Sequence, residues 1–250
     1  MKKELSRSEL IVRIVVFVLC ELLTVSTIIM VIATKQFNSR LFLSIGTVAL
    51  IFFPYAIEKG LSCKMITPLY IFSMIYAVGP MLGQCYNLYY KTEWWDKVLH
   101  LCGGVIFAIL GIMIFYRVTK GERKKLFLCA GFALCFSMAL SMTWEFVEFG
   151  CDKFFGTDMQ DDTVITSITS YALGDGIGKK GTIDNIKEVI VTGKKLPVNG
   201  YLDIGLIDTI TDMMLESAGA LVIAFLLLID KGKHTFFVWK DRRKKTEKKD

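Results

Sequence analysis

Three pairs of polar side chains interrupt an otherwise apolar chain, each at a spacing that puts both members on one helix face. Asp96 and His100 are i,i+4, Glu145 and Glu148 are i,i+3, and Asp208 and Asp212 are i,i+4, with Glu216 one turn further on. A carboxylate in a membrane span is costly, and two on one face repel each other unless a proton or a cation lies between them. Glu145 and Glu148 fall at the expected end of an apolar run, where exposed helix carbonyls add partial negative charge. Carboxylates with an imidazole are ligands for a divalent cation. Such a cation can polarise a phosphoryl oxygen or activate a water, and His100 could move the proton. The same acids could instead carry protons or cations in transit.

These residues have to be positioned by membrane helices. The chain has 250 residues, 53% of them hydrophobic, a mean hydropathy of +0.49 and four prolines. It also holds unbroken apolar runs of about 18 residues or more, which a soluble domain does not. The fold class is therefore all-α, a polytopic membrane helix bundle. The net charge of +6 comes from the ends and the short loops, above all 231–250, and does not indicate nucleic-acid binding. The basic start and the apolar stretch after it resemble a signal peptide, but the stretch is too long and no small-residue cleavage site follows.

Six spans are expected, at about 10–33, 41–57, 66–90, 97–117, 126–149 and 206–229. With the N-terminus in the cytosol, 20 of the 30 Lys and Arg fall on the inner side. They include Arg7, Arg13, Lys59, Lys64 and Arg117. Six of the ten on the outer side lie in the long 150–205 loop, where the positive-inside rule carries little weight. Both termini are thus expected in the cytosol. Trp94 and Trp95 suit an aromatic belt at the outer interface. The organisation is one integral membrane domain over 1–250, with an extracytoplasmic insertion at 150–205 and a basic cytosolic tail at 231–250.

Other features have plain readings. The seven cysteines show no metal-binding spacing and read as small hydrophobes. Glu21 is alone on the first span and is read as structural. Pro54, Pro68 and Pro80 are tolerated kinks. The basic flanks need only the attraction of anionic lipid, about 1 kcal/mol per basic residue near the surface. Thr182 to Thr192 is expected as a short helix or a strand. GxGxxG from Gly176 lacks the strand and helix that give a nucleotide fingerprint its meaning, and the P-loop pattern is absent.

Asp96 and Asp208, taken singly, could be N-caps, and His100 an interhelical hydrogen-bonding residue. Asp212 is too deep for a cap, and the two glutamates gain nothing from the dipole. Taken as a set, Asp96, His100, Glu145, Glu148, Asp208 and Asp212 are the candidate metal ligands, with His100, Glu145, Glu148 and Asp212 the candidate catalytic groups. The metal would be a divalent ion. Gly103, Gly104, Gly219 and Ala220 are small enough to let the helices converge.

Asp96-x-x-x-His100-x-x-Gly-Gly, Trp144-Glu145-x-x-Glu148 and Asp208-Thr-x-x-Asp212-Met resemble the YjdF-like bacterial inner-membrane proteins. More distantly they are similar to the VanZ-like family. The resemblance covers about Trp94 to Ala224. It implies a multi-span bundle in the bacterial plasma membrane, and the VanZ-like relatives, associated with glycopeptide-antibiotic resistance, hint at the cell envelope. Two departures stand out. Glu148 replaces a usual Gln of VanZ-like proteins, and the connection before the last span is unusually long. Asp161 and Asp162 compete with Asp208 and Asp212 for the family positions; the latter are favoured because an apolar span follows them.

Three functions compete. The first is metal-assisted hydrolysis or transfer on an envelope lipid, lipid-linked or phosphate-bearing substrate. The second is a proton- or cation-coupled transporter, which lacks an inverted repeat and matching acids on the first three spans. The third is a membrane scaffold or sensor. Membrane lipids are the expected partners, and the sequence leaves the oligomeric state open.

Overall fold

A computed structural model describes residues 5–36, 39–119, 125–231 and 237–239. Most of the basic 231–250 tail and much of the 117–125 basic hairpin lie outside the described residues. Five stretches are helical, long and apolar enough to cross a membrane: Arg7–Ala33, Arg40–Leu61, Trp95–Val118, Leu126–Phe155 and Leu206–Ile229. The protein is an all-α polytopic membrane protein with a few short strands. Its chain forms two compact units, 1–141 with 215–250, and 142–214.

The first unit begins with α1 (Arg7–Ala33), opened by a capping box in which Ser6 and Glu9 exchange hydrogen bonds. Next come α2 (Ser39–Ile51) and α3 (Phe53–Leu61). Pro54 in the first turn of α3 explains the break at Phe52, because its ring and missing N–H interrupt the helical ladder. The expected third span, 66–90, divides into α4 (Thr67–Cys85) and the single turn α5 (Leu88–Lys91). Two prolines, two glycines and Gln84 make α4 less apolar than the five long helices. It is a packed helix, with Met74, Val78 and Met81 buried against α1 and α2 side chains such as Val31 and Ile51. α6 (Trp95–Val118), the first part of α7 (Leu126–Phe155) and the last part of α8 (Leu206–Ile229) build a second core around Ile112, Ala133 and Leu227.

Crossing parity supports a membrane passage for α4 as well. Strand β1 (Cys63–Met65) pairs antiparallel with β8 (Phe237–Trp239), with Lys64 opposite Val238. Residues that share a ladder lie at the same membrane face, so the chain between them must cross an even number of times. Helices α4, α6, α7 and α8 give that number; the last three alone do not. Arg13 also hydrogen-bonds to Glu58, Met65 and Thr67 across the paired helices α1 and α2–α3.

The second unit starts with the C-terminal part of α7. The helix continues to Phe155, past the expected end at 149. Glu145 and Glu148 therefore sit about two to three turns inside a helix rather than at its end. The carbonyl dipole acts within the last turn only, so it contributes little to their cost. After α7, Asp152 accepts bonds from the hydroxyl of Thr157 and the amides of Met159 and Gln160, turning the chain.

The long connection is an ordered run of three two-stranded antiparallel ladders. The outer one, β2 (Val164–Ile165) with β7 (Tyr201–Leu202), encloses β3 (Ile168–Ser170) with β4 (Gly181–Ile183), and then β5 (Ile190–Val191) with β6 (Lys194–Lys195). The β5–β6 hairpin turns through Thr192 and Gly193, at φ 49° and 79°, the paired positive values of a two-residue hairpin turn. The expected helix or strand at 182–192 resolves into the ends of β4 and β5 with coil between them. The glycine-rich 174–181 stretch forms the end of the β3–β4 hairpin and the start of β4, with no helix after it.

Candidate functional site

In the first unit, α6 begins at Trp95 with no side-chain cap, so Asp96 lies inside the first turn rather than capping it. One turn on, His100 is buried. Its Nε2 lies 3.6 Å from Asp96 Oδ1, and its Nδ1 lies 3.7 Å from Glu216 Oε2 on α8. Lys97 pairs with the other oxygen of Asp96 at 3.3 Å.

Small residues bring α6 and α8 together. A Cβ on Gly104 would collide with the backbone carbonyl of Glu216, and one on Gly219 would collide with that of Leu101. The expected glycine-mediated crossing is therefore present, and it carries Glu216 to His100. Tyr76 of α4 also belongs here, since a Cβ on Gly103 would stand 2.8 Å from its hydroxyl and 3.5 Å from Glu216 Oε1. That Oε1 is buried and has no hydrogen-bond partner among the described residues.

The sequence pattern treated Glu216 as an inward extension and passed over Tyr76. Glu216 proves to be the acid facing His100 within this unit. Its position two turns after Asp208 was a legible signal. Tyr76 has none, because its approach depends on how α4 packs.

In the second unit, the Glu145–Glu148 face of α7 is enclosed, with the two residues 3% and 5% exposed. Trp144 Nε1–H donates to Glu148 Oε1 at 2.8 Å, an i,i+4 contact that fixes that carboxylate along the helix. The first turn of α8 carries Asp208, but the nearby Asp203 supplies the capping-type bond, accepting from Ile207 N at 2.6 Å. Asp208 instead accepts from the amide of Asp161 at 3.0 Å. Gln160 adds a second link to the same turn by donating to the hydroxyl of Thr209. Asp212, one turn further along the unbroken α8, is 0% exposed. Asp161 and Asp162 are exposed coil residues, while Asp208 and Asp212 are buried on a membrane helix.

Of the six expected site residues, the first unit brings Asp96 to His100, together with Glu216. The second unit puts Glu145 beside Glu148 on α7 and Asp208 beside Asp212 on α8. Ser141 and Thr143 flank the glutamates on α7, and neither helix has a Lys or Arg between 126 and 152 or between 206 and 229. Five buried carboxylates thus sit on stretches of α7 and α8 that supply no Lys or Arg of their own, while the imidazole of His100 stands on α6 one turn from Lys97. Carboxylates in such surroundings are neutralised by protons or by a bound metal ion.

All seven cysteines are free thiols, and those of positions 20, 63, 85 and 129 are buried, as small apolar side chains would be. Glu21 on α1 has one enclosed oxygen without a hydrogen-bond partner among the described residues.

Neither a curated protein nor a solved structure matches the chain. A family model does, under the description "Predicted membrane protein (DUF2238)", over residues 15–233, and this is the family of the YjdF-like resemblance. The match takes in most of α1, every later long helix and the whole ladder-bearing connection, so the chain belongs to the DUF2238 family of membrane proteins.

Proposed function

We propose that the protein is a membrane-embedded enzyme that holds a divalent cation on its buried acids and hydrolyses or transfers a phosphate-bearing envelope lipid. One observation carries the reading: Glu145, Glu148, Asp208, Asp212 and Glu216 are all buried on helix stretches free of Lys and Arg. Packing does not favour such an excess of acid, and the cost of charging it in low dielectric falls when a hard cation is bound. Glu145, Glu148 and Asp212 are the proposed principal ligands, with Asp96, His100 and Asp208 completing the candidate set. His100, oriented between Asp96 and Glu216, is the proton carrier.

In hydrolysis, a water oxygen bonds to phosphorus as the ester P–O bond breaks. His100 takes the proton of the water and returns it to the departing oxygen. The proposed setting is the bacterial plasma membrane, with both termini in the cytosol and the 150–205 connection outside. The distant VanZ-like resemblance is consistent with an envelope substrate.

The enclosed oxygen of Glu21 favours one second reading, a proton- or cation-coupled carrier, because it places an acid on α1 within the apolar bundle. Proteoliposomes separate the two. The enzyme releases phosphate or its alcohol from lipid-linked phosphate esters when Mg²⁺, Mn²⁺ or Zn²⁺ is added, and His100→Ala lowers the rate about 100-fold or more. Flux that follows an imposed proton gradient, with no metal-dependent release, would replace the enzyme by the carrier. If the protein shows neither activity, the scaffold reading stands.

A further inference from the structure

The first unit contains a cavity of about 240 Å³ that shares no lining residue with the chemistry proposed above and is walled in part by Arg13, Glu58 and Lys64. Arg13 is 5% exposed on α1, and its guanidinium lies 4.2 Å from the centre of the Tyr70 ring. It uses three N–H groups: Nε to Thr67 Oγ1 at 3.2 Å, Nη1 to Glu58 Oε1 at 2.9 Å and Nη2 to the Met65 carbonyl at 2.6 Å. A guanidinium carries five such groups, so two remain. Lys64 donates to Glu58 Oε2 at 2.7 Å and keeps its other ammonium protons. Glu58 is fully engaged, accepting also from the Met65 amide at 2.8 Å.

Two cations and one anion thus line the cavity, leaving a single positive charge and spare donors on Arg13 and Lys64. Glu9 lines the smaller adjoining cavity of about 140 Å³ and not this one; its carboxylate bonds Ser6 in the α1 cap. The remaining wall is aliphatic and aromatic, and Leu10 and Ile14, on the same face of α1, are 48% and 52% exposed. A free anion has no use for that wall, whereas a phospholipid needs both parts.

We propose that this cavity is a binding site for an anionic phospholipid, its phosphate on Arg13 and Lys64 and its acyl chains along Leu10 and Ile14. The fixed guanidinium supplies geometry, and Lys64, the more exposed of the two cations, supplies the charge that distinguishes an anionic from a zwitterionic lipid. The site is independent of the metal-site reading.

Native mass spectrometry of the full chain in detergent, titrated with phosphatidylglycerol or phosphatidylcholine, tests it. One equivalent of phosphatidylglycerol should bind in preference to phosphatidylcholine. Lys64→Gln should weaken it about fivefold, and Lys64→Arg should retain it. Lys248→Gln, an equal charge change in the tail, should leave that equivalent unchanged, and millimolar inorganic phosphate should not displace it. Equal binding of the two lipids would overturn the proposal, as would an unchanged affinity in Lys64→Gln. An equal loss in Lys248→Gln would reduce the effect to general attraction. Displacement by inorganic phosphate would show a soluble-anion site and remove the lipid. If Lys64→Gln unfolds, as judged by its thermal transition, failure of Lys64→Arg to prefer phosphatidylglycerol would also overturn it.

Discussion

Two regions of this membrane protein bury charge, and they do so in different ways. Around Arg13, every charge has an opposite partner in contact: Glu58 receives both Arg13 and Lys64, and its oxygens accept hydrogen bonds of 2.7–2.9 Å. Along α7 as far as residue 152 and along α8, the sequence carries several acids and no Lys or Arg. The first arrangement is explained by folding, because it joins α1 to α3 and the start of α4. The second gathers like charges, which repel one another in low dielectric unless a proton or a cation offsets them. Burial of a charge does not by itself indicate a functional site; the proposal rests on several buried acids on helix stretches that carry no Lys or Arg.

The contrast is sharpest when a single acid is neutralised in each region. Glu58→Gln leaves Arg13 buried without its counter-charge, and it should lower stability by about 3–5 kcal/mol. Glu145→Gln removes one of several like charges, so the metal-free protein should unfold at the same temperature or a higher one. Thermal unfolding in one detergent with a chelator compares them. A large loss in Glu145→Gln would show that its charge is matched within the fold, and the two regions would then be alike.

A smaller effect is expected where the helices meet. Gly104→Ala puts a methyl group against the Glu216 carbonyl and should cost about 1–3 kcal/mol while separating His100 from Glu216. An unchanged thermal transition would mean that the α6–α8 crossing is looser than described. Gly131→Ala, which meets nothing within 4 Å, is the matched control.

Much of this was legible in the sequence, for reasons that differ along the chain. The last span was found at 206–229 because apolar length alone defines a membrane helix. α7 ran past its expected end because Glu145, Glu148 and Asp152 lower the apolar average while leaving the helix intact. That same misplacement put the glutamate pair at a helix terminus. The capping role that Asp208 taken singly could have filled belongs to Asp203, which accepts from the Ile207 amide. Glu216 was visible as a spacing, but its approach to His100 depends on two glycine contacts between helices distant in sequence. The ladders of 164–202 escaped because their strands are only two or three residues long, too short for an alternating pattern to register.

The smallest expected effect lies in the exposed connection. Partial burial, and then the neighbouring Asp158, Asp203 and Asp152, hold the Asp162 carboxyl above the ordinary aspartate value, against a lowering bond from the Gly205 amide. In the window just above the ordinary value, the folded connection therefore binds more protons than the unfolded one. Its stability is greatest below that window and falls as pH rises through the raised value. Asp162→Asn should abolish the fall. Exchange of the Asp203 amide, which bonds the Thr163 carbonyl at 2.8 Å, reports it once corrected for intrinsic rates. Protection that rises with pH in the wild type would contradict the sign.

The central claim, that the buried acids of α7 and α8 hold a divalent cation, is tested most directly by metal content. Wild-type protein, purified without chelator and dialysed against Mg²⁺, Mn²⁺ or Zn²⁺, should retain about one ion per chain by elemental analysis. Glu145→Gln and Asp212→Asn should each lose it, and the double variant should lose no more than either alone, as ligands of one ion would. A wild-type chain that retains no ion with any of the three metals, or single variants that retain it fully, would contradict the account.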